Sequence, residues 1–156
     1  MHRMRKLEDR DRRKLAMEQA QHTLVIETRG PGFTDLTPQV AAWLGSIAAK
    51  DGLLTLFVRH TSASLTIQEN ADPDVLRDLA EALERLAPRA ARYHHRLEGA
   101  DDMPAHIKSM LTATSLGVPV TAGKALGTWQ AIYLVEHRDR PHSREVVLHF
   151  LGTRGR

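Results

Sequence analysis

His60-Thr61-Ser62-Ala63-Ser64-Leu65-Thr66-Ile67-Gln68-Glu69-Asn70-Ala71-Asp72-Pro73 decides how this chain is read. Ahead of it runs an apolar strand pattern, Leu53-Leu54-Thr55-Leu56-Phe57-Val58. Behind it a helix opens, because Asp72 can cap orphan amides and Pro73 suits a first helical turn. His60 therefore stands at the end of one element while Asp72 begins the next. Leu65 and Ile67 alternate with polar neighbours, the signature of a half-buried strand that presents its hydroxyls on the other face.

Working outward, His22–Thr28 is rich in β-branched residues and stops at the breaker Arg29-Gly30-Pro31-Gly32. Thr37 and Pro38 start a helix whose Val40, Leu44 and Ile47 recur at helical spacing. Asp51-Gly52 reads as a turn into the strand that begins at Leu53. Beyond the central stretch, Val75, Leu76, Leu79, Leu83 and Leu86 form the core-facing stripe of a helix closed by Pro88. Asp101-Asp102-Met103-Pro104 announces another helix, with inner stripe Met103, Ile107, Met110 and Leu111 and with His106 on its edge. Val118-Pro119-Val120 is an edge strand, since proline cannot donate to a ladder. Thr128–Val135 and Glu145–Phe150 flank a polar loop and read as a terminal hairpin. This order, without strict β-α alternation, predicts a single α+β domain on a mainly antiparallel sheet packed with helices.

The 156 residues are 42% hydrophobic but only 4% aromatic, so small aliphatics must fill the core. With no cysteine, disulfides, thiolate ligands and cysteine nucleophiles are excluded, and any metal site uses nitrogen and oxygen. No apolar run matches a signal peptide or a membrane span, which leads to the expectation of a cytoplasmic protein without a membrane partner. The first fourteen residues hold seven basic and three acidic side chains, a surplus of four positive charges that exceeds the net +3 and leaves the rest of the chain slightly acidic. Residues 1–17 read as a basic extension and 18–156 as the domain. The mixed acids and missing aromatics of that extension suit a solvated, frayed helix rather than a nucleic-acid arm.

No Gly-rich phosphate loop and no nucleophile elbow is present. Three imidazoles, His60, His95 and His106, come from a strand end, a loop and a helix. They could close three corners of a tetrahedral site and leave a fourth open to water. His94, His137, His142 and His149 compete for such a role. Glu69 and Glu98 could orient ligands or act as a base, and Asp101-Asp102 is the one carboxylate pair near them. Thr61, Ser62, Lys108 and Lys124 are the donors suited to an anionic, phosphorylated ligand.

Taken in order, His60-Thr61-Ser62-Ala63-Ser64, Glu69-Asn70-Ala71-Asp72-Pro73, His95-x-x-Glu98-Gly99-x-Asp101-Asp102-Met103-Pro104-Ala105-His106-Ile107-Lys108 and Leu126-Gly127-Thr128-Trp129-Gln130 resemble the YjbQ family. It is also called the secondary thiamine-phosphate synthase family. The resemblance runs from about Val25 to Gly152. It implies a small α+β subunit assembled as a homotrimer. It also implies a weak transferase that joins a pyrimidine diphosphate to a thiazole phosphate and releases pyrophosphate. Carried over by position, Glu69, Asp102 and Lys108 are the expected catalytic residues. Thr61, Ser62, Asn70, Thr128 and Gln130 would bind a small phosphorylated substrate, and His60, His95 and His106 would hold a divalent metal, Zn²⁺ or Mg²⁺. A metal-dependent hydrolase and a non-catalytic ligand-binding trimer are the alternatives that the residues leave open.

Overall fold

The computed structural model of the chain describes residues 16–155, so nearly all of the expected basic extension lies outside the described residues. Strand β1 (Glu18–Glu27) is followed by β2 (Gly32–Asp35), α1 (Thr37–Ser46), β3 (Ala49–Val58) and β4 (Ala63–Glu69). Then come α2 (Pro73–Leu86), α3 (Asp102–Leu111), β5 (Ser115–Val120), β6 (Gln130–Glu136) and β7 (Ser143–Arg154). The strands form a four-stranded sheet, β1-β7-β3-β5, and a three-stranded sheet, β2-β6-β4. Every pairing is antiparallel, as expected for an α+β domain of this order.

The core lies between the sheets. Leu54, Leu56, Val58, Val146, Leu148 and Phe150 from the larger sheet meet Leu65, Ile132 and Leu134 from the smaller one, and Leu36, Val40 and Leu44 close one side. Alternation along β3 turns Leu53, Thr55 and Phe57 outward and Leu54, Leu56 and Val58 inward. Among the described residues no helix is long and apolar enough to cross a membrane.

Four expectations are corrected. The last two long strands do not form a hairpin. β6 lies between β2 and β4, β7 lies between β1 and β3, and the polar loop carries the chain from one sheet to the other. Each is central in its own sheet, so both its edges are already occupied. Asp51-Gly52 is not a turn but part of a register shift inside β3, where Gly52 faces Gly152 across the ladder. A Cβ on Gly52 would meet the Cα of Gly152 at 2.6 Å, which is why a residue without a side chain stands there.

The third correction concerns α2. Asp72 caps it as expected, accepting from the Asp74 amide at 2.9 Å, yet no residue of the helix is fully buried. The fourth is the face of α3. It buries Asp102, Pro104, Ala105, Lys108 and Ser109, while Met110 and Leu111 are exposed. A hydrogen-bonded layer explains the inversion: Ser109 Oγ donates to the Ala63 carbonyl at 3.1 Å, and Thr112 Oγ1 lies 2.6 Å from Ser64 Oγ on β4. The edge-strand reading of Pro119 holds, since β5 has one neighbour, β3.

Candidate metal centre

Strand β3 ends just before His60 and β4 begins just after Ser62, so residues 59–62 turn between the two sheets. Helix α3 lies against β4 and delivers Asp102 and His106 from successive turns of one face. His95 reaches the same point from the loop between α2 and α3. Asp102 Oδ2 then lies 2.6 Å from His95 Nε2 and 3.3 Å from His106 Nε2. The two imidazole rings are 5.6 Å apart, centre to centre. All three donor atoms lie within 4.8 Å of one another.

The tautomer of His106 follows from its other nitrogen. Nδ1 is 2.9 Å from the Thr61 carbonyl, and a carbonyl can only accept, so Nδ1 carries the hydrogen. Nε2 then faces the Asp102 carboxylate, as an N–H donor when the ring is protonated and as a lone pair when it is neutral. Two electron-rich atoms at that distance require a positive charge, a proton or a metal ion, to hold them together. Orientation of a ligand imidazole by a backbone carbonyl is also the usual supporting contact at metal sites.

Asp102 is almost fully buried and divides its oxygens. Oδ2 faces the imidazoles, while Oδ1 accepts from Arg138 Nη1. Burial pushes this carboxyl up, but the His95 hydrogen bond and the charges of Arg138 and His106 outweigh it and hold it below the usual carboxylate range. Arg138 is itself fixed, donating from Nε to Asp101 Oδ2 at 2.9 Å and from Nη2 to the Glu98 carbonyl at 3.0 Å.

The expected three-histidine cluster is thus replaced by two histidines and a carboxylate. His60 stands apart because its Nε2 accepts the Glu145 amide at 2.9 Å, and burial beside Arg144 lowers its pKa. Ser62 Oγ accepts from Arg144 at 3.1 Å, and that guanidinium forms a buried two-point pair with Glu136 at 2.6 and 2.7 Å. Lys108 is buried against Glu84 of α2, away from solvent. Glu69, Asn70, Thr128 and Gln130 gather where β4 ends and β6 begins, with Glu69 opposite Gln130 and the Asn70 amide on the Trp129 carbonyl at 3.2 Å. That is the far end of β4, about 20 Å from His60 at the usual rise per residue.

Sequence reasoning missed Arg138, Glu136 and Arg144, and named His137 only as a competing ligand. One signal was available. Glu136-His137-Arg138 follows the continuous apolar run Ala131–Val135, just as His60 follows β3, so charged groups are again delivered at a buried strand end.

Comparison with known proteins settles the lineage. The family model described as UPF0047 protein YjbQ-like matches residues 22–153. The chain belongs to the YjbQ family. A UPF0047 protein of Synechocystis is 53% identical over 86% of this chain and 92% of its own length. A conserved hypothetical protein of Thermus thermophilus superposes with a TM-score of 0.71 at 41% identity, covering 81% of this chain and 97% of that one. A YbjQ-like protein of Sulfolobus solfataricus gives a TM-score of 0.81 at 24% identity, over 88% of this chain and all of that one, a likeness of fold. YjbQ membership accounts for the architecture; the reaction must be argued from the side chains.

Proposed function

We propose that the chain is a cytoplasmic metal-dependent enzyme that cleaves the bond to a phosphate or diphosphate group in a small phosphorylated molecule. The observation that carries this reading is the Asp102 oxygen placed between two imidazole nitrogens, one of them turned toward it by the hydrogen bond of its ring to the Thr61 carbonyl. A tetrahedral ion with bonds of about 2.0–2.1 Å needs donors roughly 3.3–3.4 Å apart. The His106–Asp102 spacing of 3.3 Å already meets that, and His95 needs a small outward shift. Two imidazoles and one carboxylate suit Zn²⁺ or a similar borderline ion better than Mg²⁺, which prefers oxygen alone. When bound, the ion would supply Lewis-acid stabilisation of the charge that grows on a departing phosphate. Arg138 keeps Asp102 ionised and immobile, and the Thr61 carbonyl keeps His106 in the ligating tautomer.

Thiamine-phosphate synthesis, which the family resemblance implies, is the finer form of this reading. The thiazole nitrogen forms a new bond to carbon as the carbon–oxygen bond to diphosphate breaks, and pyrophosphate leaves with the electron pair. The histidine-rich donor set favours a second reading, hydrolysis, in which water is the acceptor. Glu69, Asn70, Thr128 and Gln130 join such a site only from a neighbouring copy, which makes the homotrimer part of the proposal.

The test is to incubate purified protein with both precursors and follow thiamine phosphate and pyrophosphate together. Coupled formation of both, lost in His106→Ala, supports the transferase. Release of phosphate or pyrophosphate without coupling supports hydrolysis. Neither product from metal-loaded protein contradicts the enzyme reading.

A further inference from the structure

The segment between α2 and α3 has no regular structure, yet it is pinned. Tyr93 donates its hydroxyl to the Pro88 carbonyl at 2.9 Å, and Arg89 forms a two-point pair with Asp139 at 2.5 and 2.6 Å. This segment walls a cavity of about 490 Å³ beside His95. Cavities of this size suit a small molecule rather than a polymer or a peptide helix. Its lining includes Arg89, Arg92 and Arg96 with Tyr93 and His95, and among the described residues no carboxylate side chain. The charge of Arg89 is answered by Asp139. Arg92 and Arg96 make no ion pair with any described residue, and two guanidiniums on one cavity repel each other unless an anion lies between them.

The lysines chosen from sequence as anion donors do not serve here. Lys108 is buried against Glu84, and Lys124 closes a turn with Thr121 outside this lining. We propose that the cavity is an anion subsite in which Arg92 and Arg96 hold the phosphate or diphosphate of a small molecule whose reacting end lies at His95, Asp102 and His106. The assignment deepens the proposed function and rests on it for the position of the reacting end. Planar guanidinium forks match phosphate oxygens in pairs, and the Tyr93 ring supplies an apolar wall for the organic part of the ligand.

Titration of the full chain with inorganic pyrophosphate, after removal of metal by chelation, tests the subsite separately from the metal site. Saturable binding is expected, weakened about tenfold by Arg92→Gln and by Arg96→Gln, and further by the double variant. Arg85→Gln, on the exposed side of α2, leaves it unchanged, and unliganded melting curves of all variants overlay. His106→Ala retains pyrophosphate binding, so a failed metal site does not disguise the result. Absence of saturable binding, or equal binding by the double variant, overturns the assignment. So does tighter binding of a single-stranded oligonucleotide through the same two arginines, which would make the groove a nucleic-acid contact.

Discussion

Asp102 is the residue on which the site turns, because it is buried, ionised and shared among three cationic or cation-binding neighbours. Breaking such a pair is costly, since the remaining charge is left without compensation in a poorly solvated place. His137 shows the opposite strategy. It is buried, lies 2.8 Å from Ser64 Oγ, and burial next to the Lys108 and Arg144 charges lowers its pKa from 6.5 to about 4. The unfolded chain takes a proton on this imidazole near pH 6.5, whereas the folded chain takes one only near 4. Between those values the unfolded state binds more protons, so stability falls as the pH is lowered. The difference amounts to roughly 3 kcal/mol at most. Denaturant melts at pH 7 and pH 4 check this: His137→Gln should lose about that much of the wild-type pH dependence, and parallel curves would refute it.

Of the three histidines expected as ligands, the structure brings His95 and His106 together with Asp102, expected as a catalytic residue, and all three lie in one short stretch of a polar loop and a helix start. His60 was not assignable, since its role depends on a backbone amide from β7, eighty-five residues away. Arg138 was hidden for the same reason: only the packing of two sheets brings it to α3.

At the scale of elements, period and breakers located nearly every strand and helix, and failures arose where tertiary demands override local pattern. Gly52 looked like half of a turn because Asp-Gly usually is one. In the structure the ladder continues through it, with a register shift that brings Gly52 and Gly152 face to face. Gly52→Ala should destabilise the protein by about 2 kcal/mol or more, since backbone must move to admit the methyl group. Chemical denaturation measures this directly, and an unchanged midpoint would show that the close approach is relaxed in solution. The face of α3 misled for a related reason. Met110 and Leu111 point outward because Ser109 on the opposite face is needed for the layer with Ser64 and Thr112.

Across the whole molecule, two groups of neighbouring apolar side chains stand exposed among the described residues, apart from scattered single ones such as Leu86, Leu97 and Trp129. Val25, Leu53, Phe57 and Leu151 are 44–58% exposed on the outer face of the larger sheet. Met110 and Leu111, at 78% and 50%, project from α3. A ring of three copies uses a heterologous interface, in which one patch of each copy meets a different patch of the next. Two separate apolar patches meet that requirement, and exposed patches of this kind mark association surfaces. Light scattering should therefore give three times the 17.5 kDa chain mass for the wild type. Phe57→Glu should shift it to monomer; a monomeric wild type, or a variant that remains trimeric, would contradict this arrangement.

The central claim is that His95, Asp102 and His106 hold a divalent cation and that His60 does not. Elemental analysis of untagged protein, for wild type and for His60→Ala, His95→Ala and His106→Ala, tests it most directly. The account predicts one equivalent of metal per chain in the wild type and in His60→Ala, and loss of it in the other two. Metal-free wild type, or loss on replacing His60 with retention in His106→Ala, would contradict it.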